Sequence, residues 1–230
     1  MITSEAYVSI SKKIEQDVYL LSVQLSRYKP WFSGMFMQLS LNPTSASSYW
    51  LDSRAFSFAS YGTEDAKILV KREGNFTRRL TEMAEDGFTA SVKYPFGDVL
   101  LNSNSNKIMI AGGTGVSIFL SYIDFLNSVH SRSENYLFHS IKRGSADIRG
   151  FYWNHIPDNV NYLRYVTSNN DSGYTGRLTL DDILTQVDNP KDFEFYVCGP
   201  PNFNEFWIRK LTDNGFNFKV EQWLNREVVK

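Results

Sequence analysis

Apolar residues in the first half of the chain follow the short, alternating pattern that is typical of β-strands. Apolar runs at Val18–Leu25 and at residues 66–71 are separated by turn residues such as Asn42-Pro43. Residues 76–84 have instead the spacing of a short helix, and Thr77 is placed to cap its first amide groups. The pattern therefore predicts a β-meander or barrel with one short helix.

The pattern changes after the polar residues 101–107, which we interpret as a linker between two domains. A strand at residues 107–111 and a helix at residues 116–129 follow. Further strands are predicted at Asn135–Ile141, Val160–Val166 and residues 193–197, and further helices at residues 179–186 and 202–213. Because strands alternate with helices, we expect a parallel sheet with βαβ crossovers. The expected domains are residues 1–102 and residues 106–230.

Composition and charge narrow the range of functions. The 24 Lys and Arg residues nearly balance the 25 Asp and Glu residues, so no basic field is available to hold nucleic acid. The single cysteine, Cys198, excludes an internal disulfide framework, an all-cysteine zinc site and a four-cysteine iron–sulfur cluster. His130, His139 and His155 have no metal-ligand spacing, so we expect structural or surface roles and no metal site. Redox chemistry would then need an organic cofactor.

The chain shows no pattern of a signal peptide or a membrane span. Residues 1–13 lack a basic start followed by an apolar block. The most apolar stretch, residues 109–123, is shorter than the roughly 20 residues of a membrane helix and contains three glycines. We expect a cytoplasmic protein without a membrane span.

Three segments carry residue types that suit a nucleotide cofactor. The glycines of Ala111-Gly-Gly-Thr-Gly115 let backbone N–H groups approach a phosphate, although this spacing also suits a plain tight turn. Cys198-Gly-Pro-Pro201 follows a predicted strand, where open α/β sheets bind ligands, although an isolated cysteine is more often a small buried hydrophobe. Arg54-Ala-Phe-Ser57 combines groups for a pyrophosphate, a flat ring and a ring nitrogen, or forms a half-buried edge strand.

Four motifs in chain order together resemble those of a known family, the ferredoxin–NADP reductase superfamily. They are Arg54-Ala-Phe-Ser57, Gly74-Asn-Phe-Thr77, Ala111-Gly-Gly-Thr-Gly115 and Cys198-Gly-Pro-Pro201. Glu221-Gln-Trp223 is similar to the late E-x-aromatic element of that family. The resemblance implies an N-terminal antiparallel FAD-binding β-barrel, followed by a Rossmann-like NAD(P)-binding domain with a parallel sheet. It also implies an enzyme that takes hydride from NAD(P)H onto flavin N5.

The resemblance assigns individual residues to the flavin. Arg54 would pair with the FAD pyrophosphate, Phe56 would lie against the isoalloxazine, Ser57 would sit near N5, and Ala55 belongs to the same cofactor-binding segment. The strand that reads the flavin pyrimidine edge would contain Leu69, Val70 and Lys71. The pyrophosphate cradle would consist of Gly74, Asn75, Phe76 and Thr77. Trp223 aligns with an aromatic residue that often covers the flavin, or it is an ordinary packing residue.

The resemblance also assigns residues to the nicotinamide nucleotide and leaves the electron acceptor open. Gly113 and Thr114 would hold the nucleotide, and Cys198, Gly199 and Pro200 would lie beside the nicotinamide. Ser57 and Cys198 are thus the candidate catalytic residues. Separate acceptors compatible with this chain are a ferredoxin-like protein, an oxygenase component, free flavin or a ferric chelate. The alternative is a non-catalytic flavin- or nucleotide-binding subunit or sensor of a larger assembly.

The preference between NADH and NADPH stays open on the sequence alone. Ser168 stands where NADPH-preferring members of the family have an arginine that contacts the 2′-phosphate, which weakens the case for NADPH. Lys142, Arg143 and Arg177 are other candidates to supply the charge.

Overall fold

The computed structural model describes residues 1–45, 50–168 and 174–221. The first half forms a six-stranded antiparallel sheet in the order β4-β3-β6-β1-β2-β5. Its strands are β1 (Ile2–Lys13), β2 (Val18–Leu25), β3 (Phe36–Ser40), β4 (Ser53–Ser57), β5 (Asp65–Lys71) and β6 (Phe88–Phe96). The sheet curls, because the Ala59 N–H just after β4 donates to the Lys67 carbonyl in β5 at 2.7 Å. The predicted antiparallel barrel domain is confirmed as a curled, half-closed barrel.

The second half forms a six-stranded parallel sheet in the order β10-β9-β8-β7-β11-β12. Its strands are β7 (Lys107–Gly112), β8 (Asn135–Ile141), β9 (Val160–Val166), β10 (Tyr174–Thr175), β11 (Glu194–Cys198) and β12 (Phe218–Glu221). The helices are α1 (Asn75–Asp86) in the first half, then α2 (Ser117–Ser128), α3 (Leu180–Gln186) and α4 (Pro201–Asp213). The strand order reverses between β7 and β11, and such a switch point opens a crevice at the carboxyl ends of the two strands.

The helix predicted at residues 76–84 differs from α1 in how it begins. Gly74 is the N-cap, and no side chain among the described residues caps the helix. The Thr77 hydroxyl accepts instead from the Glu73 N–H at 2.9 Å and donates to the Gly74 carbonyl at 3.2 Å. The prediction that Thr77 caps the helix is therefore wrong, because the helix starts before this residue and places it in the third position.

The two sheets are joined by a polar seam around α2. The Ser60 carbonyl accepts hydrogen bonds from the Trp31 indole and from the Ser121 hydroxyl, both at 3.0 Å. The Ser33 hydroxyl donates to the Ser121 carbonyl at 3.0 Å, and Asp124 accepts from the Tyr61 N–H at 2.9 Å. These bonds fix the helix that follows the glycine turn against the barrel.

The polar stretch interpreted as a linker is anchored at both ends. Leu101 is buried, and its N–H donates to the Ser33 carbonyl at 3.0 Å. The Tyr122 hydroxyl donates to the Asn102 carbonyl at 3.2 Å, and Lys107 is fully buried. Within the described parts of the chain, no helix has the length and apolar character needed to cross a membrane.

Candidate functional site

The glycine turn after β7 has one open side and one packed side. Gly113 has φ +54 and is exposed, and a Cβ added there would meet nothing within 4 Å. A Cβ added to Gly115 would lie only 2.3 Å from the Cys198 carbonyl oxygen. Only glycine therefore lets this turn pack against the end of β11, while the open side leaves room for a ligand beside the backbone.

The end of β11 is packed as closely as the turn. Cys198 is 1% exposed and pairs with Ala111 in β7 and with Glu221 in β12. A Cβ on Gly199 would lie 2.5 Å from the Phe203 ring in α4. The segment around Cys198 and Gly199 is thus held rigidly at the switch point of the sheet, where the predicted nicotinamide contacts would be made.

The strand that is predicted to read the flavin edge lies beside this turn. Leu69 in β5 and Cys198 belong to one buried apolar cluster, which also contains Ala59 and Val116. β5 is an edge strand of the described sheet, and the Lys67 backbone bonds outward to Ala59, so the backbone groups of Leu69 and Lys71 also face outward while those of Val70 face β2. The structure therefore brings the outer edge of β5 next to the nucleotide-type turn of the second sheet.

A cationic group and an open helix start meet on the outer side of the barrel. The exposed Arg54 guanidinium lies 5.2 Å from the centroid of the Phe76 ring, and the Phe56 ring lies 6.4 Å from the same ring. Gly74 and Asn75, at the start of α1, are exposed, and a Cβ on Gly74 would meet nothing within 4 Å. An uncapped helix N-terminus beside an arginine fits a pyrophosphate group.

Ser57 lies at the end of β4 and is 7% exposed. It pairs with Phe36 in β3, while the neighbouring Ala55 is half-buried and pairs with Gln38. The Ser57 side chain is therefore covered by protein on most sides, and its proximity to a flavin N5 stays a prediction.

Glu221 is a buried acid that the sequence analysis placed in a motif without giving it a role. It is 8% exposed and stands opposite Cys198 in the β11–β12 pairing. Burial, and secondarily the negative charge of Asp98, raise the pKa of Glu221 to about 7. Close by, the Asn204 amide donates to the Glu221 carbonyl at 3.0 Å, while the buried Asn204 Oδ1 has no partner among the described residues. An acid beside the crevice with a near-neutral pKa is a functional candidate.

The charged residues considered for a 2′-phosphate lie beyond β8 and β9. The Ser168 N–H donates to the Lys142 carbonyl at 3.2 Å, which brings these two exposed residues together. Arg143 and Arg177 are also exposed. Trp223 lies outside the described residues, so the prediction that it covers the flavin stays a prediction.

The three histidines differ in how deeply they are buried. His130 and His155 are exposed, whereas His139 in β8 is 1% exposed. His139 contacts the Gly113 carbonyl of the glycine turn, a contact that the sequence analysis missed. The signal for it would have been the position of His139 near the end of a strand that neighbours β7.

The second half of the chain is similar to known nucleotide-binding domains. Residues 109–208 match the family model of the oxidoreductase NAD-binding domain. One subunit of the Na(+)-translocating NADH-quinone reductase of Neisseria gonorrhoeae is 26% identical over 192 residues, which cover 70% of this chain and 46% of that protein. The chain thus spans less than half the length of this relative.

Solved structures with the same architecture cover nearly the whole chain. The ferredoxin reductase in carbazole 1,9a-dioxygenase superposes with a TM-score of 0.80 at 19% identity, over 95% of this chain and 68% of that one. A ferredoxin NADP+ reductase from Neisseria gonorrhoeae with bound FAD and NADP gives a TM-score of 0.75 at 16% identity, over 95% and 98% of the two chains. This chain therefore has the same two-domain fold as these reductase structures, and residues 109–208 match the family model of the oxidoreductase NAD-binding domain.

Proposed function

We propose that the protein is an FAD-dependent NAD(P)H oxidoreductase that passes electrons to a separate acceptor. The observation that carries this proposal is the junction of three elements at one crevice. The glycine turn at Gly115 packs on Cys198, and Cys198 shares a buried cluster with Leu69 of the barrel edge. Two redox partners need such a junction, because hydride transfer requires their reacting atoms to be within about 3–3.5 Å.

The first half would hold FAD through its own charges and unpaired backbone. Arg54 and the amide groups at the start of α1, from Gly74 to Thr77, would bind the pyrophosphate. Phe56 would pack against the ring system, and the segment Leu69–Lys71 would hydrogen-bond the pyrimidine through the outward-facing backbone groups of Leu69 and Lys71. A bound flavin would supply the two-electron chemistry, and the protein would orient it and exclude water.

The second half would hold the nicotinamide nucleotide. Gly113 and Thr114 would lie against its phosphates, with Cys198, Gly199 and Pro200 beside the nicotinamide. Support comes from the open side of the turn at Gly113 and from the match of residues 109–208 to the NAD-binding domain family. Ser57 and Cys198 remain the proposed catalytic pair. We further propose domain boundaries at residues 1–102 and 106–230, since the two sheets begin and end on either side of the anchored stretch.

The proposal also names the kind of molecule that would accept the electrons from the flavin. The similar chains include a ferredoxin reductase of a dioxygenase and one component of an NADH-quinone reductase, and both names describe electron transfer. We therefore propose a separate protein or small acceptor: a ferredoxin-like protein, an oxygenase component, free flavin or a ferric chelate. A cytoplasmic location belongs to the same proposal, and cell fractionation tests it.

The deciding experiment is an anaerobic titration of the FAD-reconstituted protein with NADH and then with NADPH. Flavin absorbance in the visible range reports reduction directly. Bleaching by either nucleotide supports the proposal, and the nucleotide that bleaches at the lower concentration is the preferred one. Bound FAD that neither nucleotide bleaches would contradict the proposal and favour the non-catalytic subunit or sensor.

A further inference from the structure

A buried imidazole lies directly beneath the open glycine turn. His139 is 1% exposed, and its Nε2 atom lies 2.9 Å from the Gly113 carbonyl oxygen. Its Nδ1 atom lies 3.2 Å from the Tyr162 hydroxyl oxygen. Both ring nitrogens are therefore engaged, and one of the two contacts is with the backbone of the turn itself.

The chemistry of the two partners fixes which nitrogen carries the hydrogen. A carbonyl oxygen only accepts, so Nε2–H must donate to Gly113. Burial lowers the pKa of His139 to about 4, so the ring is neutral at physiological pH. Nδ1 is then an acceptor, and the Tyr162 hydroxyl donates to it.

The second ring nitrogen is held by a partner that is itself anchored. The Tyr162 hydroxyl lies 3.5 Å from the Ile148 N–H, and the Arg149 guanidinium lies 5.6 Å from the centroid of the Tyr162 ring. Asp147 accepts from Arg149 at 2.6 Å and from Arg164 at 2.9 Å. This network fixes the orientation of the imidazole from the side opposite the turn.

The bond to Gly113 determines where the next amide points. In a trans peptide the C=O of one residue and the N–H of the next point in opposite directions. The Gly113 carbonyl points inward to His139, so the Thr114 N–H points away from the sheet, towards the open side of the turn. Gly113 has φ +54, a left-handed conformation that glycine adopts without strain.

We propose that His139 is a positioning residue for nucleotide binding, which holds the Gly113–Thr114 peptide so that its N–H faces the pyrophosphate of a nicotinamide nucleotide. This inference rests on the proposed function, because it needs a nucleotide at this turn. A buried histidine that merely fills space would have no consequence for ligand affinity beyond its effect on folding. The bond to a carbonyl within the turn supports the positioning role, and ligand affinity distinguishes it from space filling.

The test compares His139→Phe, which fills the space without a donor, with His139→Gln, whose side-chain amide retains one. The full-length, FAD-reconstituted proteins are assayed with NADH and NADPH, using ferricyanide as the acceptor. ADP-ribose, which contains the pyrophosphate but no nicotinamide, is titrated by calorimetry. We expect His139→Phe to raise KM and the ADP-ribose Kd about tenfold, the usual weight of one hydrogen bond to a charged group, with kcat unchanged. His139→Gln should recover most of this loss.

The control is His130→Gln at an exposed loop position, which should match the parent. Unchanged ADP-ribose affinity in folded, FAD-bound His139→Phe would overturn the inference, and so would equal losses in both His139 variants. The same holds if the parent protein does not bind ADP-ribose. If the parent binds ADP-ribose but oxidises neither nucleotide, the proposed function fails while the ADP-ribose affinities still decide the role of His139.

Discussion

Gly115 and Cys198 are in direct backbone contact, although they belong to different strand–helix connections of the second sheet. A Cβ on Gly115 would lie 2.3 Å from the Cys198 carbonyl oxygen and 2.9 Å from the Gly199 Cα. Both neighbours are backbone atoms at the end of a central strand, so neither can move aside without disturbing the sheet. The contact therefore fixes the nucleotide-type turn relative to the proposed nicotinamide contacts.

This contact predicts a selective effect of Gly115→Ala. The turn would have to separate from the end of β11, so we expect weaker nucleotide binding and a lower melting temperature with FAD content retained. Flavin absorbance of the purified protein and an anaerobic NADH titration measure the two effects. Gly150→Ala is the matched control, because a Cβ there meets nothing within 4 Å. Parent-like titration of Gly115→Ala would show that the packing is dispensable.

Arg54→Ala is predicted to release FAD. The exposed guanidinium lies over Phe76 beside the uncapped start of α1, where it would meet the pyrophosphate. Losing one hydrogen bond to a charged group costs about 1.5–3 kcal/mol, which corresponds to a tenfold or greater loss of FAD affinity. Fluorescence titration of the apoprotein with FAD measures this loss. Arg54→Lys should retain part of the affinity, and Arg132→Ala, at an exposed loop position, should retain all of it.

Cys198→Ala is predicted to leave FAD binding intact and to slow flavin reduction in a single turnover. Cys198 ends β11 at the switch point and packs in the cluster that contains Leu69. Stopped-flow mixing with NADH or NADPH under anaerobic conditions gives the rate. Val197→Ala is the matched control, because Val197 is equally buried but packs in the cluster on the other face of the sheet. If both variants slow reduction equally, Cys198 acts through packing alone.

Local sequence pattern predicts the strands that are rich in aromatic and β-branched residues. β8 and β9 have the bounds that the sequence pattern indicated, because aromatic and β-branched residues are frequent in both strands. β12 was missed, because its four residues are recognisable as a strand only through pairing with β11. The motifs around Arg54 and Cys198 were recognised from their residue types and their order along the chain, which do not depend on strand pairing. Local pattern carries no information about which strands become neighbours.

Contacts within the site depend on that tertiary register and could not be read from local pattern. The bond from His139 to Gly113 exists because β8 lies beside β7 with Ala111 opposite His139. The burial of Glu221 could not be predicted for the same reason. It follows from the place of Glu221 opposite Cys198, in a strand that the local pattern did not predict. The prediction that Thr77 caps α1 was wrong for a different reason. The preference for a hydroxyl residue at the N-cap favoured Thr77, whereas the helix begins after Gly74.

The buried carboxyl of Glu221 is predicted to make the stability of the folded protein depend on pH. Its pKa is about 7 in the folded protein, against a reference value of 4.5. Between these values the folded protein binds the proton more tightly than the unfolded chain does. Stability is therefore lost as pH rises from about 4.5 to 7, by roughly 3 kcal/mol in total.

Glu221→Gln removes this titration and leaves a neutral group of similar shape. We expect the variant to match the parent near pH 4.5 and to become the more stable protein as pH rises to 7 and beyond. Urea unfolding at a series of pH values measures the difference in midpoint between the two proteins. A constant difference across this range would show that the Glu221 carboxyl does not titrate with a raised pKa. Asp98→Asn is the companion variant, because removing its negative charge should lower the Glu221 pKa. In this variant the loss of stability should end at a lower pH than in the parent protein.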